Sequence, residues 1–337
     1  MMTTWTSKFA GAAFAAAMAI PMAAHAEDTL RLEWFVQGQF AGPIVAYDKG
    51  YYKEAGIDLK FLPAGPDIKP AVTVAQGLDT FGLGHPNQVI TARSNGVPLV
   101  MVLQVGQRSS STYIARKDSG IARAEDMPGH SAGLWFGGDE HEFLAMLGAA
   151  KVNVNDVKII PQAYDIVGWL NKDYDVMQVT WFNELLQVYE QGYKKEDLTF
   201  LDPAQYGVEM IGNGVFTTED TIKNHPEKVQ AVVDATMRGW QEALADPAAA
   251  ADIVLKYNDE PKRDQQIAQI EAMGMVMCAG PTLEGKFGLS RLEAWQTIQK
   301  VLLAANLIES EIPLEEGFTN AFWDKAPAAS KSIACKS

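Results

Sequence analysis

Three pairs of adjacent aromatics, Trp34-Phe35, Trp135-Phe136 and Trp181-Phe182, each stand directly after a short apolar run. One such pair is ordinary core. Three of them at loop positions after strands offer flat faces on which a planar ligand can stack. Amides and acids accompany them: Gln37 and Gln39 after the first pair, Asp139 and Glu140 after the second, and Asn183 and Glu184 after the third. A fourth loop, Gly82-Leu-Gly-His-Pro-Asn-Gln88, adds Asn87. Trp181, Asn183 and Glu184 together suit an amino-heterocycle or an organic cation, through stacking, an amide and a carboxylate. Each group also has a plainer use. The aromatics can plug the cores below the loops, and a carboxylate near a helix N-terminus can be only a cap or a dipole partner.

Other chemistry is poorly supplied. Gly137 and Gly138 before a helix can turn backbone N–H groups toward an anion, but Asp139 and Glu140 follow at once and repel one. Arg108 with Ser109, Ser110 and Ser111 is the best anion-binding group, its alternative being a hinge tied by hydrogen bonds. No Walker lysine or dinucleotide glycine pattern occurs. His141-Glu142 is not a zinc motif, because position 145 is alanine. No G-x-S-x-G nucleophile elbow is present. The reading expects no catalysis, no metal and no cofactor.

Alternating strands and helices must position these loops. A strand is expected over 30–35, then a helix with Pro43 at its first position, a stop at Gly50, a further turn over 51–54, a stop at Gly56 and a strand over 58–62. Asp67 caps the next helix, 80–83 is a strand, Pro86 starts a helix and 98–105 is a strand. A second block runs through strands at 131–135, 157–160 and 175–180, with helices over 139–150, 166–170 and 183–191. Such alternation predicts an α/β fold with parallel, doubly wound sheets, whose ligands bind at the carboxyl ends of strands. The remainder is helical, with an amphipathic helix from Pro226 bearing Val229, Val232, Val233, Met237, Trp240 and Leu244, and helices over 263–277 and 290–306.

Two α/β blocks followed by helices predict two lobes around a cleft. Lobe 1 is expected over 27–110 and 210–337, and lobe 2 over 111–209. The crossings fall near 108–112 and 206–216, where Gly207, Gly212 and Gly214 are expected to let the return strand bend.

A length of 337 residues and a hydrophobic content of 47% allow two sizeable cores. A formal net charge of −14 argues against nucleic acid as a partner. Residues 1–26 read as a secretory signal peptide. Lys8 is the sole charge before Glu27, residues 9–23 are small and apolar, and Ala24-His25-Ala26 is a cleavage pattern. Cleavage after Ala26 and a periplasmic location are expected, as is a monomer. Cys278 and Cys335 permit one disulfide in an exported chain, with two free thiols as the alternative.

The segment Lys49-Gly-Tyr-Tyr-Lys-Glu-Ala-Gly56, the strand Thr80-Phe-Gly-Leu83, Ala115-Arg-Lys-Asp-Ser-Gly-Ile121 before Asp126-Met-Pro-Gly129, and the junction at 175–184 resemble the NMT1/THI5-like solute-binding family. The resemblance implies a type II periplasmic binding-protein fold, a small-molecule ligand and an ABC permease as partner. Relatives take thiamine-precursor pyrimidines, riboflavin, taurine, alkanesulfonates or nitrate. The aromatic loops favour a pyrimidine, and Arg108 with its serines keeps a sulfonate or other small anion as the alternative. Fungal pyrimidine synthases share the fold, with a lysine just after the strand that matches residues 81–83. This chain has Gly84 there and lacks their cysteine cluster, so synthase chemistry is not expected.

Overall fold

The computed structural model describes residues 27–335, so the expected signal peptide lies outside the described residues. Among the described residues ten strands form two five-stranded sheets. The first holds β1 (Asp28–Arg31), β2 (Leu59–Leu62), β3 (Phe81–Gly84), β4 (Leu99–Gln104) and a late strand, Gly214–Thr218. The second holds β5 (Ser111–Arg116), β6 (Ser131–Leu134), β7 (Lys158–Pro161), β8 (Val176–Thr180) and β9 (Leu198–Leu201). The late strand is β10, and the spatial orders are β2-β1-β3-β10-β4 and β7-β6-β8-β5-β9.

The expectation of purely parallel sheets is corrected in each lobe by one strand. β1 runs parallel to β2 and β3, but β10 runs antiparallel to both β3 and β4. Likewise β6 is parallel to β7 and β8, while β5 is antiparallel to β8 and β9. The two exceptions are the strands that enter from the other lobe. They arrive directly, without a helix to carry the chain back to the starting edge, and so run against their neighbours. β9, a four-residue strand at the sheet edge, was not foreseen in the sequence.

Side chains on β5 show how each sheet separates two cores. Tyr113 and Ala115 face one apolar cluster with Leu134 and Phe143, and Ile114 faces another with Trp169 and Met177. In the first lobe the amphipathic helix Pro226–Ala245 buries its predicted stripe against helix Ala41–Asp48 and the sheet. Helix Ala41–Asp48 starts two residues before Pro43, after a turn over Gly38–Phe40. Cys278, at the end of helix Arg263–Met277, is bonded to Cys335, with Cα atoms 5.6 Å apart.

Residues 105–110 lead out of the first sheet and residues 202–213 lead back. The two crossovers are bonded to each other. Val105 and Gly106 N–H donate to the Asn213 carbonyl at 3.1 and 2.8 Å, and Gly212 N–H donates to the Arg108 carbonyl at 2.8 Å. A Cβ on Gly106 would lie 2.7 Å from Gly212 Cα, so these glycines permit close approach. Gly207 does take the left-handed region, at φ 68°, but Gly212 and Gly214 do not. Their contribution is room rather than freedom to bend.

Glu142, on helix His141–Ala149, ties both crossovers to the second lobe. Its carboxyl accepts from Ser109 Oγ at 2.8 Å and from Met210 N–H at 2.6 Å, and the residue is buried. Burial, against those two hydrogen bonds, pushes its pKa up to about 8. A carboxyl held above its unfolded value stabilises the fold fully below that value, near 4.5, and loses the contribution as pH climbs toward 8. Thermal midpoints of wild type should therefore fall across that window more steeply than those of Glu142→Gln. The limiting slope for one group is about 1.4 kcal/mol per pH unit. Equal slopes would show that this carboxyl does not titrate as a buried group.

Candidate functional site

The carboxyl ends of β1, β3, β6 and β8 open onto a cavity of about 180 Å³ lined from both lobes. The first lobe supplies Glu33, Trp34, Gln37, Gln39, Lys69 and His85, and the second supplies Trp135, Asp139, Tyr164, Thr180, Phe182, Asn183 and Glu184. A wider hollow of about 730 Å³ lies among Arg116, Lys117, Lys172 and Glu196. It sits at the other end of β5 from the cleft-lining Ser111, and its one aromatic is Tyr193. The cleft, with converging strand ends and rings from both lobes, is the better site.

Three rings form its wall. Tyr164 stacks on Trp135 with centroids 5.9 Å apart and planes 14° apart, and lies 4.8 Å from Trp34 across the lobes. Trp135 is fixed: its indole N–H donates to the Ala163 carbonyl at 3.2 Å, and its backbone N–H to Gln178 at 3.1 Å. Tyr164 keeps 47% of its surface exposed and lines the cleft. It follows the edge strand β7 as a single tyrosine, and no periodicity marks it in the sequence.

A charged group faces this wall. His85 Nε2 lies 3.1 Å from Glu33 Oε1, and Asn213 Nδ2 donates to Glu33 Oε2 at 3.1 Å. Burial works against charge on His85. The adjacent Glu33 carboxylate, Asp139 and the Ile211 carbonyl outweigh it and push the pKa up to about 9. Burial likewise opposes ionisation of Glu33, but His85, Asn213 and Lys69 together hold its pKa below the ordinary range. Crowding by protein raises the Asp139 pKa, assisted by Glu33 and Glu140, although the residue is open to the cleft space. The cleft thus holds an imidazolium–carboxylate pair and a second carboxyl without a hydrogen-bond partner among the described residues.

Of the residues expected from sequence, Trp34, Gln37, Gln39, Trp135, Asn183 and Glu184 line the cleft. Gln37 donates to Gln39 at 2.5 Å. Glu184 is largely committed to its own helix start. It accepts from Thr180 N–H at 3.0 Å, Thr180 Oγ1 at 2.6 Å and Asn183 Nδ2 at 2.6 Å. Glu33 and Asp139 are the freer acids.

Asn87, Arg108, Gly137, Gly138 and Trp181 fall outside the lining. In the third aromatic pair Phe182 lines the cleft, and Trp181 stacks on Phe200 with centroids 6.0 Å apart. Arg108 lies over that same indole at 4.8 Å. Ser109 is spent on Glu142, while Ser110 and Ser111 line the cleft without Arg108. Asn87 donates to the Gly138 carbonyl at 3.4 Å, joining the lobes, and the Gly138 N–H donates to Glu140 at 2.9 Å. That N–H is therefore not turned to an anion. Gln269 donates to Asn183 at 3.3 Å as a further bond between helix Arg263–Met277 and the second lobe. Glu33 and Lys69 were missed in the sequence. They are ordinary charged loop residues until the fold brings them together.

Two α/β lobes, joined by paired crossovers and meeting around a cleft at their strand ends, define the two-lobed periplasmic binding-protein fold. The periplasmic aliphatic sulphonate binding protein SsuA from Escherichia coli matches it with a TM-score of 0.67, covering 86% of this chain and 92% of that chain at 14% identity. The NMT1/THI5 like family model matches residues 37–250, and the chain belongs to that family. The riboflavin-binding protein RibY of Chloroflexus aurantiacus is 25% identical over 302 residues, spanning 87% of this chain and 85% of the relative. A formylaminopyrimidine-binding protein of Halalkalibacterium halodurans is 22% identical over 300 residues, spanning 86% and 88%. Among the described residues no helix is long and apolar enough to cross a membrane, and no cluster of ligating side chains suits a metal ion.

Proposed function

We propose that this protein is an extracytoplasmic solute receptor. It binds a small planar nitrogen heterocycle, such as a thiamine-precursor pyrimidine, between its lobes and hands it unchanged to an ABC permease. The observation that carries this reading is the exposed Tyr164 ring between Trp34 and Trp135, facing Glu33 and Asp139. A flat ring stacks on the wall, and its amino groups donate to the two acids. Gln37, Gln39 and Asn183 complete the polar contacts. The cavity of about 180 Å³ is below the usual range for drug-sized ligands, which favours one ring over a fused ring system. The names of two relatives, for riboflavin and for formylaminopyrimidine, support the heterocycle class. Residues 1–26 direct export and are cleaved off after Ala26, and the receptor acts as a monomer in the periplasm. Closure is favoured only through the greater affinity of the ligand for the closed state.

A small anion suits the cleft less well. Glu33, Asp139 and Glu184 face it against Lys69 and His85, and Arg108 rests on Trp181. Synthase chemistry lacks its lysine at the strand end. Gly84 stands there, packed against Gln88 and Phe216, and the cleft-lining Lys69 belongs to another loop.

Thermal unfolding against a ligand panel tests the reading. Formylaminopyrimidine at 100 times its Kd should stabilise the protein by about 2.7 kcal/mol, while taurine and alkanesulfonates leave it unchanged. The opposite pattern would replace the ligand class. No shift with any solute, and no small molecule carried through purification in mass spectra, would end the receptor reading.

A further inference from the structure

A cleft-lining carboxylate is held from behind by a segment that does not line the cleft. Asn213 Nδ2 donates to Glu33 Oε2 at 3.1 Å, and His85 Nε2 lies 3.1 Å from Glu33 Oε1. Ile211 and Asn213 lie in the return crossover and are 2% and 8% exposed. The Asn213 carbonyl meanwhile accepts from Val105 and Gly106 of the outgoing crossover. Asn213 therefore joins the cleft acid to both connections between the lobes.

We propose that Asn213 is a positioning residue for solute binding: its amide holds the Glu33 carboxylate toward His85 and the cleft, and its carbonyl ties that arrangement to the paired crossovers. The proposal rests on the reading of the cleft as a solute site. Its physical basis is the need of a crowded carboxylate for donors. With Asn213 and His85 both donating, Glu33 stays ionised in one orientation; with one donor gone, it gains a proton more readily and is free to turn. The charged groups around the pair are Asp139 across the cleft, Lys69 beside Glu33, and the buried Glu142. Alanine at 213 deletes the amide but keeps the carbonyl, so it separates the two functions of the residue.

Calorimetric titration with formylaminopyrimidine, over about pH 5 to 9, tests this in wild type, Asn213→Ala, Glu33→Gln and the double variant. Asn213→Ala should bind about 10-fold more weakly, as loss of a hydrogen bond to a charged group implies. Its affinity should also begin to fall at a higher pH on acidification. The double variant should bind no more weakly than Glu33→Gln alone, because Asn213 acts through that carboxylate. Additive losses would overturn the proposal, as would unchanged affinity in Asn213→Ala. Should Asn213→Ala fail to fold, Asn213→Ser carries the same cycle. The ring nitrogen resonances of His85 give a readout that needs no ligand. In wild type the ring should stay charged through about pH 8, and in Asn213→Ala it should lose its proton at lower pH. Identical titrations would overturn the proposal. Failure of wild type to bind formylaminopyrimidine, with the resonance difference intact, would count against the ligand class alone.

Discussion

Tyr164→Ala is expected to weaken binding of formylaminopyrimidine by about 10- to 100-fold, the range for a ring stacked on one aromatic side chain. Stability should change by less than about 1 kcal/mol, because 47% of the side chain is exposed. The two outcomes separate here because the ring rests against Trp34 and Trp135 yet remains exposed to the cleft. Tyr164→Phe keeps the ring and should keep most of the affinity. Trp135→Ala is the contrasting case. That indole is 7% exposed and hydrogen-bonded to Ala163, so its removal should damage stability and binding together. Calorimetry on Tyr164→Ala with an unaltered Kd would mean that the solute does not rest on this ring.

Removing the disulfide should give the largest stability loss. Cys278 and Cys335 are 57 positions apart, and closing a loop of that length stabilises by about 4 kcal/mol in the chain-entropy account. The bridge also anchors the end of helix Arg263–Met277. Two residues before Cys278, the Val276 carbonyl accepts from Gln107 and Arg108 of the outgoing crossover. On the cleft side, Gln266 of that helix accepts from Gly38 N–H at 2.6 Å, and Gln269 donates to Asn183. The Cys278→Ser, Cys335→Ser double variant should unfold at clearly lower urea concentration, with an m-value that rises as the unfolded chain loses its cross-link. A midpoint within experimental error of wild type would show that the covalent link adds nothing to packing already present.

The sequence made the framework legible where local signals and tertiary packing agree. Helix Pro226–Ala245 has a proline start and an apolar stripe, and helix Arg263–Met277 was read to the residue. The strand ends that carry Trp34, Gln37, Gln39, Trp135, Asn183 and Glu184 were also placed, because a strand–loop–helix unit leaves its loop at the sheet's carboxyl edge. Which side chain in such a loop turns inward was not legible. Trp181 and Phe182 are neighbours of similar chemistry in the turn after β8, and it is Phe182 that lines the cleft while Trp181 stacks on Phe200. The place of Arg108 was not legible for a related reason. Its guanidinium found an indole, and its neighbouring serine found Glu142, a partner 33 positions away. Glu33, Lys69 and His85 carry no short-range pattern at all and become a group only when three loops converge.

The placement of β10 between β3 and β4 bears on the order in which the chain acquires structure. Residues 28–104 lack the strand that joins β4 to β3 until residues far downstream emerge, whereas β5 to β9 are contiguous and self-sufficient in pairing. Short-range pairings form sooner than distant ones. The portion holding β5 to β9 is therefore expected to consolidate first, leaving β1 to β4 open until β10 joins them. Pulse-labelled amide exchange on refolding protein should find β5 to β9 protected ahead of β1 to β4, and the reverse order would refute this sequence of events.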